Sequence, residues 1–142
     1  MDKKKTTILI LVGVILGSLG TIVNFVDFGL KSKSDFDKQL FELVKEVNKN
    51  LPKMIDSETR FDSSTALPNK VFQYNYTLVN YSKDELNLVE LKDQFYPTFL
   101  DNIKTNPNLK ILRDNNVTIV FLIKDKDGYE ILKLMYDPND YK

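Results

Sequence analysis

The chain has 142 residues with 20 basic and 20 acidic side chains, so its formal net charge is zero and no net field draws it towards nucleic acid. Histidine and cysteine are both missing, which removes the commonest general base, the thiolate nucleophile, the usual zinc and copper ligands and any thiol for lipid attachment or a disulfide. With neither a Gly-rich phosphate loop nor a G-x-S-x-G elbow present, the expectation is a non-enzymatic protein without a cofactor or bound metal and without a nucleic-acid partner.

The first element is an oily one. After Met1 to Lys5, residues Thr6 to Val26 contain no charged side chain, and 13 of them are Ile, Leu, Val or Phe. About 20 residues at roughly 1.5 Å each match the ~30 Å hydrocarbon core of a bilayer. Residues 6–27 are therefore expected to form a transmembrane helix in the lipid bilayer. A cleaved secretory signal has a shorter apolar region, ~7–15 residues, followed by a small-x-small site. The small residues Gly17, Ser18 and Gly20 are instead followed by more apolar sequence, which favours an uncleaved anchor. Lys3, Lys4 and Lys5 outweigh Lys31 and Lys33, which are interleaved with Asp27, Asp35 and Asp37. That bias places residues 1–5 in the cytoplasm and the C-terminal domain outside it. Gly13 and Gly17 form a GxxxG step on which two such helices could approach closely, a route to a homodimer.

Residues 28–34 read as a linker, and residues 35–142 as one extracytoplasmic domain of ordinary size. Ser34 and Asp35 start a helix over about 35–50, on which Phe36, Leu40, Leu43, Val44, Val47 and Leu51 recur at helical spacing. A strand is expected from Met54 to Asp62, a polar loop from Ser63 to Lys70, and a second strand from Val71 to Tyr81. In the second, Phe72, Tyr74, Tyr76 and Leu78 share one face. Ser82 to Glu85 has the capping-box pattern of a helix start. Leu88, Leu91, Phe95, Phe99 and Ile103 form the stripe of that helix, and Pro97 is expected to kink or divide it near Tyr96. A short strand over Leu109–Leu112 and a hairpin of Val117–Lys124 with Tyr129–Tyr136 follow, the turn closing on Gly128. The fold class is thus α+β, an antiparallel sheet of four to five strands packed on two helices.

Two patterns are candidates for function. If Met54–Asp62 is one strand, Asp56, Glu58, Arg60 and Asp62 project to one face, where they could bind a cation, a small ligand or a basic group on a partner, or form only a solvated, self-neutralised surface. Pairing Lys124 with Tyr129 puts Val117, Ile119, Phe121, Ile123, Leu132, Leu134 and Tyr136 on a core face of the hairpin. It leaves Val120, Leu122, Tyr129, Ile131 and Met135 on the other, which is a partner surface if both helices cover the core face and is core if the first helix covers it. The Asp125-x-Asp127-Gly128-x-Glu130 turn lacks the ligand spacing of a calcium loop and reads as an ordinary hairpin turn.

The run Leu51-Pro52-Lys53-Met54-Ile55-Asp56-Ser57-Glu58-Thr59-Arg60-Phe61-Asp62, followed by Phe72-Gln73-Tyr74-Asn75-Tyr76-Thr77-Leu78, resembles a family of small uncharacterised bacterial proteins that carry an N-terminal signal or anchor and one outer domain. The resemblance spans most of residues 45–140. It implies a shared α+β fold and brings no activity, cofactor or catalytic residue. Relatives often have cysteines where this chain has Lys104 and Tyr141, which implies that the C-terminal tail is held here by packing alone. These patterns together point to a single-span envelope protein whose outer domain binds another envelope protein or a membrane complex, with small-ligand or cation binding as the alternative.

Overall fold

The computed structural model describes residues 33–142, so the expected membrane helix, with Gly13 and Gly17, and most of the linker lie outside the described residues. In chain order the elements are α1 (Lys33–Asn48), β1 (Lys53–Met54), β2 (Thr59–Leu67), β3 (Val71–Leu78), α2 (Leu88–Thr105), α3 (Lys110–Asp114), β4 (Thr118–Lys124), β5 (Glu130–Tyr136) and α4 (Pro138–Tyr141). Short 3-10 turns at Lys83–Glu85 and Pro107–Leu109 precede α2 and α3.

The five strands lie in sequence order, β1-β2-β3-β4-β5. All neighbours pair antiparallel except β3 and β4, which are parallel. The α+β class holds, and the all-antiparallel expectation is corrected to a mixed sheet. Parallel neighbours need a long crossover, and residues 79–117, with α2 inside them, supply it. α1 packs over β2 and α2 over β5. Both helices face the same side of the sheet, because their stripes join one cluster with Phe61, Phe72, Tyr74, Tyr76, Ile119, Phe121, Leu134 and Tyr136. The expected core faces of β3 and of the hairpin are all buried.

Residues 54–62 are not one strand. β1 ends at Met54, the chain turns, and β2 begins at Thr59, with Met54 opposite Arg60. The turn is set by Asp56, whose Oδ1 accepts the backbone N–H groups of Glu58 (2.7 Å) and Thr59 (2.8 Å). Most of the expected polar loop is β2 itself. Its register shifts between Phe61 and Ser63, so the buried positions pass from Thr59 and Phe61 to Ser64. A bulge that changes parity, with polar residues at two core positions, hides the alternation on which a strand is recognised.

α2 runs unbroken through Pro97, which corrects the expected division. The Tyr136 hydroxyl donates to the Tyr96 carbonyl at 2.9 Å, tying β5 to the middle of that helix. Asn87, not Ser82, caps α2, accepting the Glu90 N–H through its side chain. The capping-box pattern at Ser82 opens the 3-10 turn instead, where the Ser82 N–H donates to Glu85 Oε2 at 2.9 Å. The expected strand at Leu109–Leu112 is helical. Arg113 on α3 donates from one guanidinium nitrogen to the carbonyls of Ile103 and Asn106, both at 2.7 Å, and so covers the C-terminus of α2 with a positive charge. The C-terminal tail is held by more than packing, since the buried Tyr141 hydroxyl donates to the Val117 carbonyl at 2.7 Å. Burial pushes that phenol's pKa up to about 12.

Candidate functional site

With both helices on one side, the other face of the sheet carries no helix among the described residues. Its make-up follows from register. Gln73, Val120 and Met135 stand in one row across β3, β4 and β5, and Asn75, Leu122 and Lys133 in the next. On the β4–β5 side the face is apolar around Leu122 and Met135, with Lys124 and Lys133 exposed beside them. On the β2–β3 side it is a connected polar row. Gln73 Nε2 donates to Asn75 Oδ1 at 2.7 Å, and Asn75 Nδ2 donates to Ser63 Oγ and Thr65 Oγ1, both at 3.1 Å. Nearby, Thr77 Oγ1 donates to Asp62 Oδ2 at 2.5 Å, and Arg60 Nε donates to Asp62 Oδ1 at 2.5 Å. Such a face offers a partner an apolar patch beside polar groups already held in place, so little side-chain ordering remains to be done on contact.

The four residues of the acidic candidate are not brought together. Arg60 and Asp62 pair on this outer face, but Asp56 is engaged in its turn and Glu58 accepts a hydrogen bond from Asn80 Nδ2 at 2.5 Å. The single-strand geometry that aligned them is absent, because the chain reverses between Met54 and Thr59. Among the described residues no group of three or more acidic side chains is placed to hold a metal ion.

The partner strip divides as well. The hairpin register differs from the expected one by two residues, with Leu122 opposite Lys133 and Val120 opposite Met135, so the faces are preserved. A bulge between Ile123 and Lys124 leaves Ile131 without a direct partner. Ile131 is 5% exposed and belongs to the core cluster. Val120, a short side chain set between Gln73 and Met135, is 1% exposed. Leu122 is half-buried, while Met135 and Tyr129 are 54% and 66% exposed. The accessible part of the strip is therefore Leu122, Met135 and Tyr129.

The hairpin loop is a clamp that sequence spacing did not reveal. Asp125 is buried, and its Oδ1 accepts the N–H groups of Asp127 (2.9 Å) and Tyr129 (2.8 Å) while Oδ2 accepts that of Lys83 (2.9 Å). The Lys126 N–H donates to the Tyr81 carbonyl at 3.0 Å. Burial opposes a charged carboxylate here, but the backbone N–H groups of Lys83, Tyr129, Asp127 and Gly128 outweigh it and hold the Asp125 pKa below its ordinary value. The resemblance to a calcium loop dissolves on this geometry, because the first aspartate is occupied by backbone donors.

A family model for a domain of unknown function, DUF8479, matches residues 35–132, and the chain belongs to that family. Two solved structures share the fold. One is the crystal structure of a candidate secreted protein from Pseudomonas aeruginosa, with 14% identity and a TM-score of 0.66, covering 80% of this chain and 100% of that one. The other is the type II secretion system pilotin AspS from Vibrio cholerae, with 7% identity and a TM-score of 0.57, covering 76% of this chain and 94% of that one. No curated protein matches the chain in sequence.

Proposed function

We propose that residues 35–142 form the outer domain of a membrane-tethered, non-enzymatic protein that holds another envelope protein against the uncovered face of its sheet. The observation that carries this reading is the pairing on that face of an apolar patch, Leu122 and Met135, with a pre-bonded polar row from Gln73 to Thr65. The fold shared with a pilotin and a candidate secreted protein supports an extracytoplasmic role in partnering. The tether is the apolar segment at residues 6–27, whose residues 6–26 carry no charge, joined by residues 28–34, with the N-terminus in the cytoplasm.

A photo-crosslinking residue at Met135, compared with one at Phe41 on the exposed side of α1, tests the surface in intact cells. The proposal expects one envelope protein to be captured from position 135, lost on Leu122→Asp, and not captured from position 41. Capture from position 41 alone, or capture that survives Leu122→Asp, overturns it. Alkaline carbonate extraction tests the tether. Full-length protein that leaves the membrane without detergent removes that part of the proposal. Gly13→Ile with Gly17→Ile should abolish self-association of the span if the helix also dimerises, and unchanged association rejects that role for the pair.

A further inference from the structure

Five buried side-chain oxygens have no hydrogen-bond partner among the described residues, namely Asp37 Oδ1, Asp56 Oδ2, Thr59 Oγ1, Tyr74 OH and Tyr76 OH. All five belong to α1, the β1–β2 turn, β2 or β3. Three of them are hydroxyls on the core side of β2 and β3. Register places Thr59 opposite Leu78, Phe61 opposite Tyr76 and Ser64 opposite Tyr74, so Thr59 is a diagonal neighbour of Tyr76, and Tyr76 adjoins Tyr74 on the same face. The residues Thr59, Tyr74 and Tyr76 are each 0% exposed. A hydroxyl shut away from solvent without a partner forfeits its hydration, and native interiors satisfy the large majority of such groups through protein or ordered water.

We propose that Thr59, Tyr74 and Tyr76 frame an internal hydration site in the core, holding one or more ordered water molecules. The surroundings select a small neutral occupant. Phe61 stacks on Tyr76 at 4.8 Å, and Phe72 and Phe121 lie 4.8 and 5.2 Å from Tyr74. No lysine or arginine is buried among the described residues, whose buried polar or charged side chains are Thr59, Ser64, Thr77 and Asp125, so no buried cation is there to hold an anion. Each hydroxyl can donate and accept, and three of them fall within the two to four partners that a buried water takes. Desolvation raises the pKa of both phenols, which keeps them neutral donors. Asp56, whose Oδ1 accepts the Thr59 N–H while its buried Oδ2 is unpartnered, stands at the turn end of the row.

The test uses the full-length protein in detergent and water as the probe. Water-to-protein cross-relaxation in NMR is expected at the ring protons of Tyr74 and Tyr76 in the unaltered chain and is expected to disappear in the Tyr74→Phe/Tyr76→Phe double variant. A dry signature in the unaltered chain, or a signal that survives the double substitution, overturns the proposal. Thermal melting of Tyr76→Phe keeps the question open to refutation should the double variant fail to fold. A rise in Tm of about 4 °C or more identifies a hydroxyl that had no partner at all and rejects the site, whereas a fall or no change supports it.

Discussion

Around α2, β4 and β5 the polar side chains are anchored to the backbone. Tyr136 reaches the Tyr96 carbonyl, Tyr141 the Val117 carbonyl, Arg113 two carbonyls at the end of α2, and Asp125 three N–H groups. Around α1, β2 and β3 the five unpartnered oxygens are found, and the C-terminal end of α1 is hydrogen-bonded to β2 through Asn48. Asn48 Nδ2 donates to the Ser64 carbonyl at 2.9 Å, and Asn48 Oδ1 accepts the Ser64 N–H at 2.7 Å. Towards its other end, the Lys70 ammonium lies 5.1 Å from the centre of the Phe36 ring. The two halves share one apolar cluster, so the difference between them is directional bonding rather than burial. Hydrogen bonds to buried polar groups raise the free energy of local opening, and the half in which five such oxygens go unpartnered is the one expected to open first.

The comparison breaks most severely at Phe99. It is fully buried and meets Phe121 edge-on at 4.5 Å, so Phe99→Ala should cost about 3–5 kcal/mol by chemical denaturation. A loss below 1 kcal/mol would mean that the α2 half is not the rigid one. Asp125→Ala comes next, since it strands three backbone donors at the loop and should lower Tm clearly. Because folding lowers the Asp125 pKa, its carboxylate favours the folded state above the ordinary value of 3.8, and that contribution is lost as pH falls through the lowered value. The variant should therefore show a flatter loss of Tm than the unaltered chain as pH falls below about 4, and parallel acid limbs would contradict the clamp.

Asn48→Ala should cost about 1–2 kcal/mol and speed amide exchange in α1 while leaving α2 unchanged. Equal acceleration in both helices would erase the distinction between the halves. The smallest effect belongs to Lys45→Ala, which removes an exposed pair with Glu42 at 2.7 Å and should change stability by no more than about 0.5 kcal/mol.

Elements built on apolar periodicity could be read from the sequence, and those built on polar geometry could not. Phe72, Tyr74, Tyr76 and Leu78 announced one strand face, Leu91, Phe95, Phe99 and Ile103 one helix face, and Gly128, at φ 88°, the hairpin turn. Residues 59–67 were obscured because Thr59 and Ser64 occupy buried positions and the bulge shifts the alternation between them. The parallel pairing of β3 with β4 joins residues more than 40 apart, which no local pattern encodes. Residues 109–112 carry apolar side chains at a spacing that suits a short strand or a helical turn, and Asn106 with Pro107 tips the choice by starting a 3-10 turn. Of the candidate surface, Leu122 and Met135 followed from alternation alone. The loss of Ile131 to the core depended on a bulge that the loop length did not reveal.

Asn48 has one further consequence. β1 pairs with β2 at Arg60 and Phe61, so among the described residues the flank of β2 beyond Asp62 has no neighbouring strand. By gripping both main-chain groups of Ser64, one carboxamide sits where an invading segment of a second molecule would need to form its first contacts. A single side chain thus stands in the way of strand addition along that flank, and fibril formation by Asn48→Ala would be the sign that the guard had been removed.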